Sequence, residues 1–175
     1  MNKINYDLEM KKEIEKFNGE KKSLLLHSCC GPCSTAVTER LEPFFSITVF
    51  YFNPNITESE EYNLRLNEQK RFLKEAYGDK IKIIDGRYKS AEFFERVKGL
   101  EKEPEGGARC KECFSMRLEE TAKVATEGGY DYFCSTLTVS PHKNADLINE
   151  IGLKISEKSV AKYLLNDFKK ENGYK

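Results

Sequence analysis

The sequence predicts an α/β chain: a three-layer sandwich around a mainly parallel sheet of four or five strands, Rossmann-like or HUP-like in plan. Short apolar or β-branched runs recur at Leu24–Leu26, Ile47–Phe52, Lys80–Asp85 and Tyr130–Leu137, each the length of a buried strand. Between them lie longer stretches with apolar residues three and four apart, the spacing of a helix with one buried face. Strands alternating with helices in this way pair in parallel, and right-handed crossovers place helices on both faces of the sheet. No internal repeat or low-complexity segment breaks the alternation, and 1–175 is read as a single domain.

In chain order, Tyr6, Met10, Ile14 and Phe17 stand at helical spacing among charges and predict an amphipathic helix laid on the sheet. Leu24-Leu25-Leu26-His27-Ser28 is a buried strand that runs into Cys29-Cys30-Gly31-Pro32-Cys33. The Gly-Pro pair forces a tight turn there, and Ser34–Val37 opens a helix with Val37, Leu41 and Phe44 on one face, ended with the help of Pro43. The strand Ile47–Phe52 stops at Asn53-Pro54-Asn55, after which Thr57 and Glu60 form a capping box for a long helix through Tyr62, Leu66, Leu73 and Tyr77. Beyond the strand Lys80–Asp85, Ser90 caps a helix carrying Phe93, Phe94 and Val97 that Gly99 terminates. A polar, Gly-rich loop leads to Cys110-Lys111-Glu112-Cys113, and the helix after it carries Phe114, Leu118, Ala122 and Ala125 as far as Gly128-Gly129. After the fourth strand, Ser140-Pro141 reads as a helix start with Pro at its first position, continuing through Ala145, Ile148 and Ile151 to Gly152. Ser159–Leu165 fits either a fifth strand or a last helix.

Lys plus Arg and Asp plus Glu number 29 each, so no net field draws the molecule onto a polyanion and any such partner must meet a local patch. No apolar run reaches the ~18 residues that span a bilayer, and the N-terminus lacks the apolar stretch of a signal peptide. The expected location is cytoplasmic, without a membrane partner. In a reducing compartment, six cysteines argue for metal or redox chemistry over a disulfide framework.

Cys29-Cys30 and Cys110-x-x-Cys113 supply four thiols in two pairs near predicted helix starts, with Cys33 as a fifth close by. Four soft thiolates suit tetrahedral zinc or an iron–sulfur cluster, and spacing alone does not choose between them. Adjacent cysteines diverge and reach one small ion poorly, which leans toward the larger cluster. A dithiol redox pair is the other reading of a CxxC, and Cys134, inside an aromatic strand, reads as core. His27 closes an apolar strand and reads first as a hydrogen-bonded core residue. The spaced glycines of a dinucleotide site and the Lys-bearing phosphate loop are missing after the first strand.

Six segments taken together, His27-Ser28-Cys29-Cys30-Gly31-Pro32-Cys33, Phe50-Tyr51-Phe52-Asn53-Pro54-Asn55-Ile56, Glu103–Cys113, Arg117–Ala122, Thr136–Asn144 and Asp167–Tyr174, resemble in content and order the QueH family of epoxyqueuosine reductases. The resemblance runs from about Leu24 to the last residue. It implies a cobalamin-independent enzyme that removes the epoxide oxygen of epoxyqueuosine in tRNA, the last step of queuosine biosynthesis. It also implies a 4Fe-4S cluster on Cys29, Cys30, Cys110 and Cys113, and an additional mononuclear iron beside it. Members of the family usually continue into a Cys-x-Cys tail, which does not follow Gly173-Tyr174-Lys175 here.

Turning an epoxide into an alkene takes two electrons, so an external one-electron donor is expected, with Cys33 helping to bind iron beside the cluster. His27, Tyr51 and Asp85 are candidates for protonating the departing oxygen. Arg87, Lys89, Arg109, His142, Lys143, Lys169 and Lys170 form the candidate tRNA surface, with Tyr88 and Tyr174 as stacking residues for a base displaced from the anticodon loop. Two other readings stand beside this one: a zinc-thiolate RNA-binding module and a cluster-dependent enzyme that alters sulfur in tRNA.

Overall fold

A computed structural model describes residues 3–29, 31–87 and 90–170. Five strands, β1 (Lys22–Ser28), β2 (Phe45–Tyr51), β3 (Lys82–Asp85), β4 (Tyr132–Ser135) and β5 (Lys162–Tyr163), form one sheet in the order β3-β2-β1-β4-β5. Every pairing is parallel, with Leu24 opposite Ile47 on one side and Tyr132 on the other. The helices are α1 (Tyr6–Glu15), α2 (Gly31–Leu41), α3 (Ser59–Tyr77), α4 (Ser90–Arg96), α5 (Ala108–Glu127) and α6 (Ala145–Ser156). Chain order runs outward from β1 to β3, then returns to β4 on the other side of β1. With right-handed crossovers this reversal puts α2 and α3 on one face and α5 and α6 on the other, and each pair is in mutual contact. The three-layer α/β expectation holds.

Leu24, Leu25 and Leu26 are completely buried because β1 is the central strand with helices above and below. One large cluster joins them to Val37, Leu41, Val49, Phe133 and Ile148, and a smaller one gathers Tyr51, Ile56, Tyr62 and Leu66. The tail resolves as β5, a two-residue edge strand, and Cys134 is core.

Several boundaries differ from the sequence reading. Helix α2 begins at Gly31, so Gly31-Pro32 lies inside the first turn, where proline's missing N–H costs no helical bond. Phe44 is 43% exposed and leaves the α2 face to Val37 and Leu41. Helix α3 starts at Ser59 with Glu58 as its N-cap and no side-chain cap bond, so the Thr57–Glu60 capping box does not form. Phe94 is exposed while Phe93 and Val97 are buried. Pro141 does not start α6: Asn144 caps that helix, its side chain accepting from Leu147 N at 3.2 Å. Nor does Gly152 end it. A Cβ there would lie 2.4 Å from the Tyr163 ring, so glycine lets α6 pass over the edge strand and continue to Ser156.

The C-terminal segment is tied down by buried amides. Asn166 donates from its backbone N to Asn149 Oδ1 at 3.0 Å, and Asn149 Nδ2 donates to Asn166 O at 2.8 Å. Thr138 bonds the Asn166 side chain and accepts from Phe168 N at 2.9 Å.

Two predictions follow from this packing. Gly152→Ala should destabilise the fold by about 1–3 kcal/mol through overpacking against Tyr163, despite the ~1 kcal/mol that alanine normally gains in a helix interior; urea unfolding with an unchanged midpoint would contradict it. Burial works to raise the Glu13 carboxyl, but bonds from Lys162, Tyr132 and Lys16 outweigh it and hold the group at about 2, below its ordinary 4.5. Since the unfolded chain then binds the proton more readily, this contribution is present above about pH 4.5 and is lost as the pH falls toward 2. The stability gap between wild type and Glu13→Gln should therefore be open at neutral pH and close across that window, as read by urea midpoints at a series of pH values.

Candidate functional site

Reversal of strand order between β1 and β4 opens a crevice beyond their carboxyl ends, the position where open parallel sheets bind ligands. Cys29 follows the last residue of β1, at the rim of this crevice. Across it, β4 passes into a 3₁₀ turn, Thr136–Val139, and the Thr136 hydroxyl lies 3.4 Å from Cys29 N as its acceptor and 3.5 Å from Cys29 Sγ.

Helices α2 and α5 both begin at this edge, because a crossover helix runs antiparallel to its strands. Cys33 is the third residue of α2; Cys110 and Cys113 are the third and sixth of α5. The Cys-x-x-Cys segment is thus helical throughout, where the sequence reading set it ahead of the helix, and its i,i+3 spacing turns both thiols to one face. Cys29, Cys33, Cys110 and Cys113 are all half-buried and packed against the main core cluster. Cys30 lies outside the described residues, and among those described no three His, Cys, Asp or Glu side chains are gathered closely enough to hold a metal ion.

The donor chemistry nevertheless fits a thiolate-held group. Helices α1, α3, α4 and α6 each carry a carboxylate in the first turn, whereas α2 and α5 carry none. The positive ends of the two cysteine-bearing helices are therefore left for another anion, and sulfur is the candidate. Gly107, the N-cap of α5, makes no side-chain cap bond. Gly106 adopts φ +87°, a left-handed conformation suited to glycine, and its N–H donates to Cys110 Sγ at 3.3 Å.

His27 is fully buried, with Nε2 donating to Phe52 O at 2.8 Å and Nδ1 accepting from the Ser135 hydroxyl at 2.8 Å. That hydroxyl accepts in turn from Leu137 N at 3.2 Å, which fixes the direction of the chain of bonds. Burial, reinforced by the Arg117 cation, pushes the imidazole down to about 4, so at neutral pH it is an uncharged strut between β1, β2 and β4. Tyr51 is also fully buried, its hydroxyl donating to Tyr62 O at 3.4 Å. Asp85, exposed at the end of β3, accepts from the Tyr62 hydroxyl at 2.8 Å and from Arg87 N at 2.9 Å.

The basic residues divide by environment. Arg109, second residue of α5, sits with its guanidinium 5.6 Å from the Phe93 ring centroid. His142 is exposed in a turn before α6, its N–H donating to Ser140 Oγ at 3.3 Å. Lys143 and Lys169 line one shallow pocket with Lys3, Asp146 and Asp167, but Lys169 Nζ is already held by Thr138 O and Asp167, each at 3.2 Å. Lys170 is exposed. Tyr88, Lys89 and Tyr174 lie outside the described residues.

Three residues at this edge have bonding roles that the sequence reading did not assign. Arg117, one helical turn beyond Cys113, is 4% exposed and donates from Nε to Cys113 O at 3.2 Å. Asn53 and Gln69 are buried polar residues that bond around the cysteine turn. A buried arginine or glutamine on a helix carries no periodicity signal that sets it apart from its solvated neighbours.

Residues 24–175 match the family described as epoxyqueuosine reductase QueH. A protein of that name from Streptococcus pyogenes is 43% identical over 99% of this chain and 70% of its own length. The one from Staphylococcus epidermidis is 46% identical over 98% of this chain and 75% of its own length. A more distant relative from Thermotoga maritima, of the same name, is 32% identical over 87% of this chain and 78% of its own. Coverage and identity at this level leave no other assignment: the chain belongs to the QueH family of epoxyqueuosine reductases.

Proposed function

We propose that this chain deoxygenates epoxyqueuosine to queuosine in tRNA, with a 4Fe-4S cluster held on Cys29, Cys30, Cys110 and Cys113. The observation that supports it most is the placing of Cys29, Cys110 and Cys113 at the strand-order reversal, on elements whose positive ends lack carboxylates. An additional iron held in part by Cys33 belongs to the same reading. The reaction breaks both C–O bonds of the epoxide, forms a C=C bond, and consumes two electrons and two protons as the oxygen leaves as water. When bound, the cluster supplies electrons one at a time, received from an external one-electron donor.

The chain's own residues bind the substrate, exclude water and control protons. In this reading Arg109, His142, Lys143 and Lys170 meet phosphates of the tRNA, while Lys169 steadies the turn after β4 through Thr138 O. The modified base leaves its stack to reach the thiols, as anticodon-loop bases can. His27, neutral and bonded at both ring nitrogens, keeps the floor of the crevice rigid and uncharged. The two protons come from solvent, because His27 is uncharged and bonded at both ring nitrogens and the buried Tyr51 hydroxyl donates to Tyr62 O.

The test is iron and acid-labile sulfide content, with turnover of epoxyqueuosine-containing tRNA, on protein purified without oxygen. About four of each per chain is expected, with Cys110→Ser and Cys113→Ser losing most of both and Cys134→Ser keeping them. Colourless wild-type protein carrying one zinc would replace this reading with an RNA-binding module. Affinity for tRNA should fall steeply with salt, and Arg109→Ala should make the slope of log K against log salt shallower by about 1; an unchanged slope would remove Arg109 from the contact surface.

A further inference from the structure

Gln69 lies in α3, which carries no cysteine, yet its side chain reaches the segment between β1 and α2. It is fully buried. Its Oε1 accepts from the Ser28 hydroxyl at 2.8 Å, and its Nε2 donates to the Ser34 hydroxyl. The Ser34 hydroxyl passes its own proton to Gly31 O at 2.9 Å. One carboxamide thus bridges the residue before Cys29 and the residue after Cys33, and the bond series closes back on the turn itself. From the other side, Asn53 Nδ2 donates to Ser28 O at 2.9 Å.

We propose that Gln69 is a positioning residue for the cysteine turn, acting through Ser28 and Ser34 to hold Cys29 and Cys33 where a thiolate-bound group can form. The inference rests on the cluster reading above. Its physical basis is that a buried primary amide is stable only when both ends are bonded, so Gln69 and the two hydroxyls specify a single separation of the turn's two ends. A methionine of similar length keeps the volume and removes both bonds.

The experiment compares wild type, Gln69→Met and Tyr77→Phe. Tyr77→Phe removes another bond between α3 and α2, from Tyr77 OH to Thr38 Oγ1 at 3.3 Å, which meets α2 one turn beyond Ser34 and leaves the Ser28 and Ser34 hydroxyls on Gln69 untouched. Hydrogen exchange on the metal-free proteins reads peptides spanning Ser28–Ser34, and anaerobic reconstitution reads iron, sulfide and the electron paramagnetic resonance of the reduced state. Gln69→Met is expected to exchange at least tenfold faster in that segment, to hold at most a third of the wild-type iron, and to change the resonance of what remains. Tyr77→Phe should match wild type in all three. Equal exchange and equal iron in Gln69→Met and wild type would overturn the proposal, as would the same losses in Tyr77→Phe. Wild type that takes up no iron would instead overturn the cluster reading, while the exchange result would still decide whether Gln69 holds the turn. Should Gln69→Met fail to fold, Ser34→Ala removes one end of the same bond with little change in volume and carries the same expectations.

Discussion

Two helices begin at the carboxyl edge of the sheet without a carboxylate in either first turn, an electrostatic condition the other helices do not share. Helices α1, α3, α4 and α6 place Asp or Glu at their positive ends; α2 and α5 place cysteines there. Aligned peptide dipoles favour an anion at such an end. An aspartate in either turn would compete for the same field.

Such a site needs a rigid floor, which buried polar groups provide. His27, Ser135 and Phe52 O link three adjacent strands at their carboxyl ends. Asn149, Asn166 and Thr138 hold the C-terminal segment against α6 and the turn after β4. These networks are satisfied at nearly every atom, the condition under which buried polarity fixes one arrangement. The edge strand β5 is only two residues long, so the amides do for the C-terminal segment what a longer ladder would otherwise do.

The strands and their parallel pairing were legible because the signals are strong: Leu24–Leu26 and Ile47–Phe52 are too apolar to be anything but buried strands; their order in the sheet was not, since it is set by contacts between helices and sheet faces. The cysteine turn was legible for the same reason, since an apolar run ending in thiols and Gly-Pro leaves few alternatives. Helix boundaries were not. Ser140-Pro141 carries a plausible start signal, yet Asn144 wins because its side chain meets Leu147 N while Pro141 and His142 still lie in a turn. Gly152 looks like a terminator until the Tyr163 ring shows why no side chain fits. The buried bonding roles of Gln69, Asn53 and Arg117 were not legible, because what buries them is tertiary contact: Asn53 reads as a turn residue, and a polar residue on a helix reads as solvated.

Arg117 links the electrostatics to the chemistry. It is buried, its Nε bonds the carbonyl of Cys113, and among the described residues no carboxylate forms an ion pair with it. A buried guanidinium needs a counter-charge or its desolvation goes uncompensated. The field of Arg117 adds to burial in holding His27 uncharged, with an imidazole pushed down to about 4. One side chain therefore does two things: it keeps the histidine beneath the crevice neutral and bonds the carbonyl of Cys113. A neutral side chain of the same volume would give up both, which accounts for a charged residue in an otherwise apolar stretch of α5, between Phe114 and Leu118.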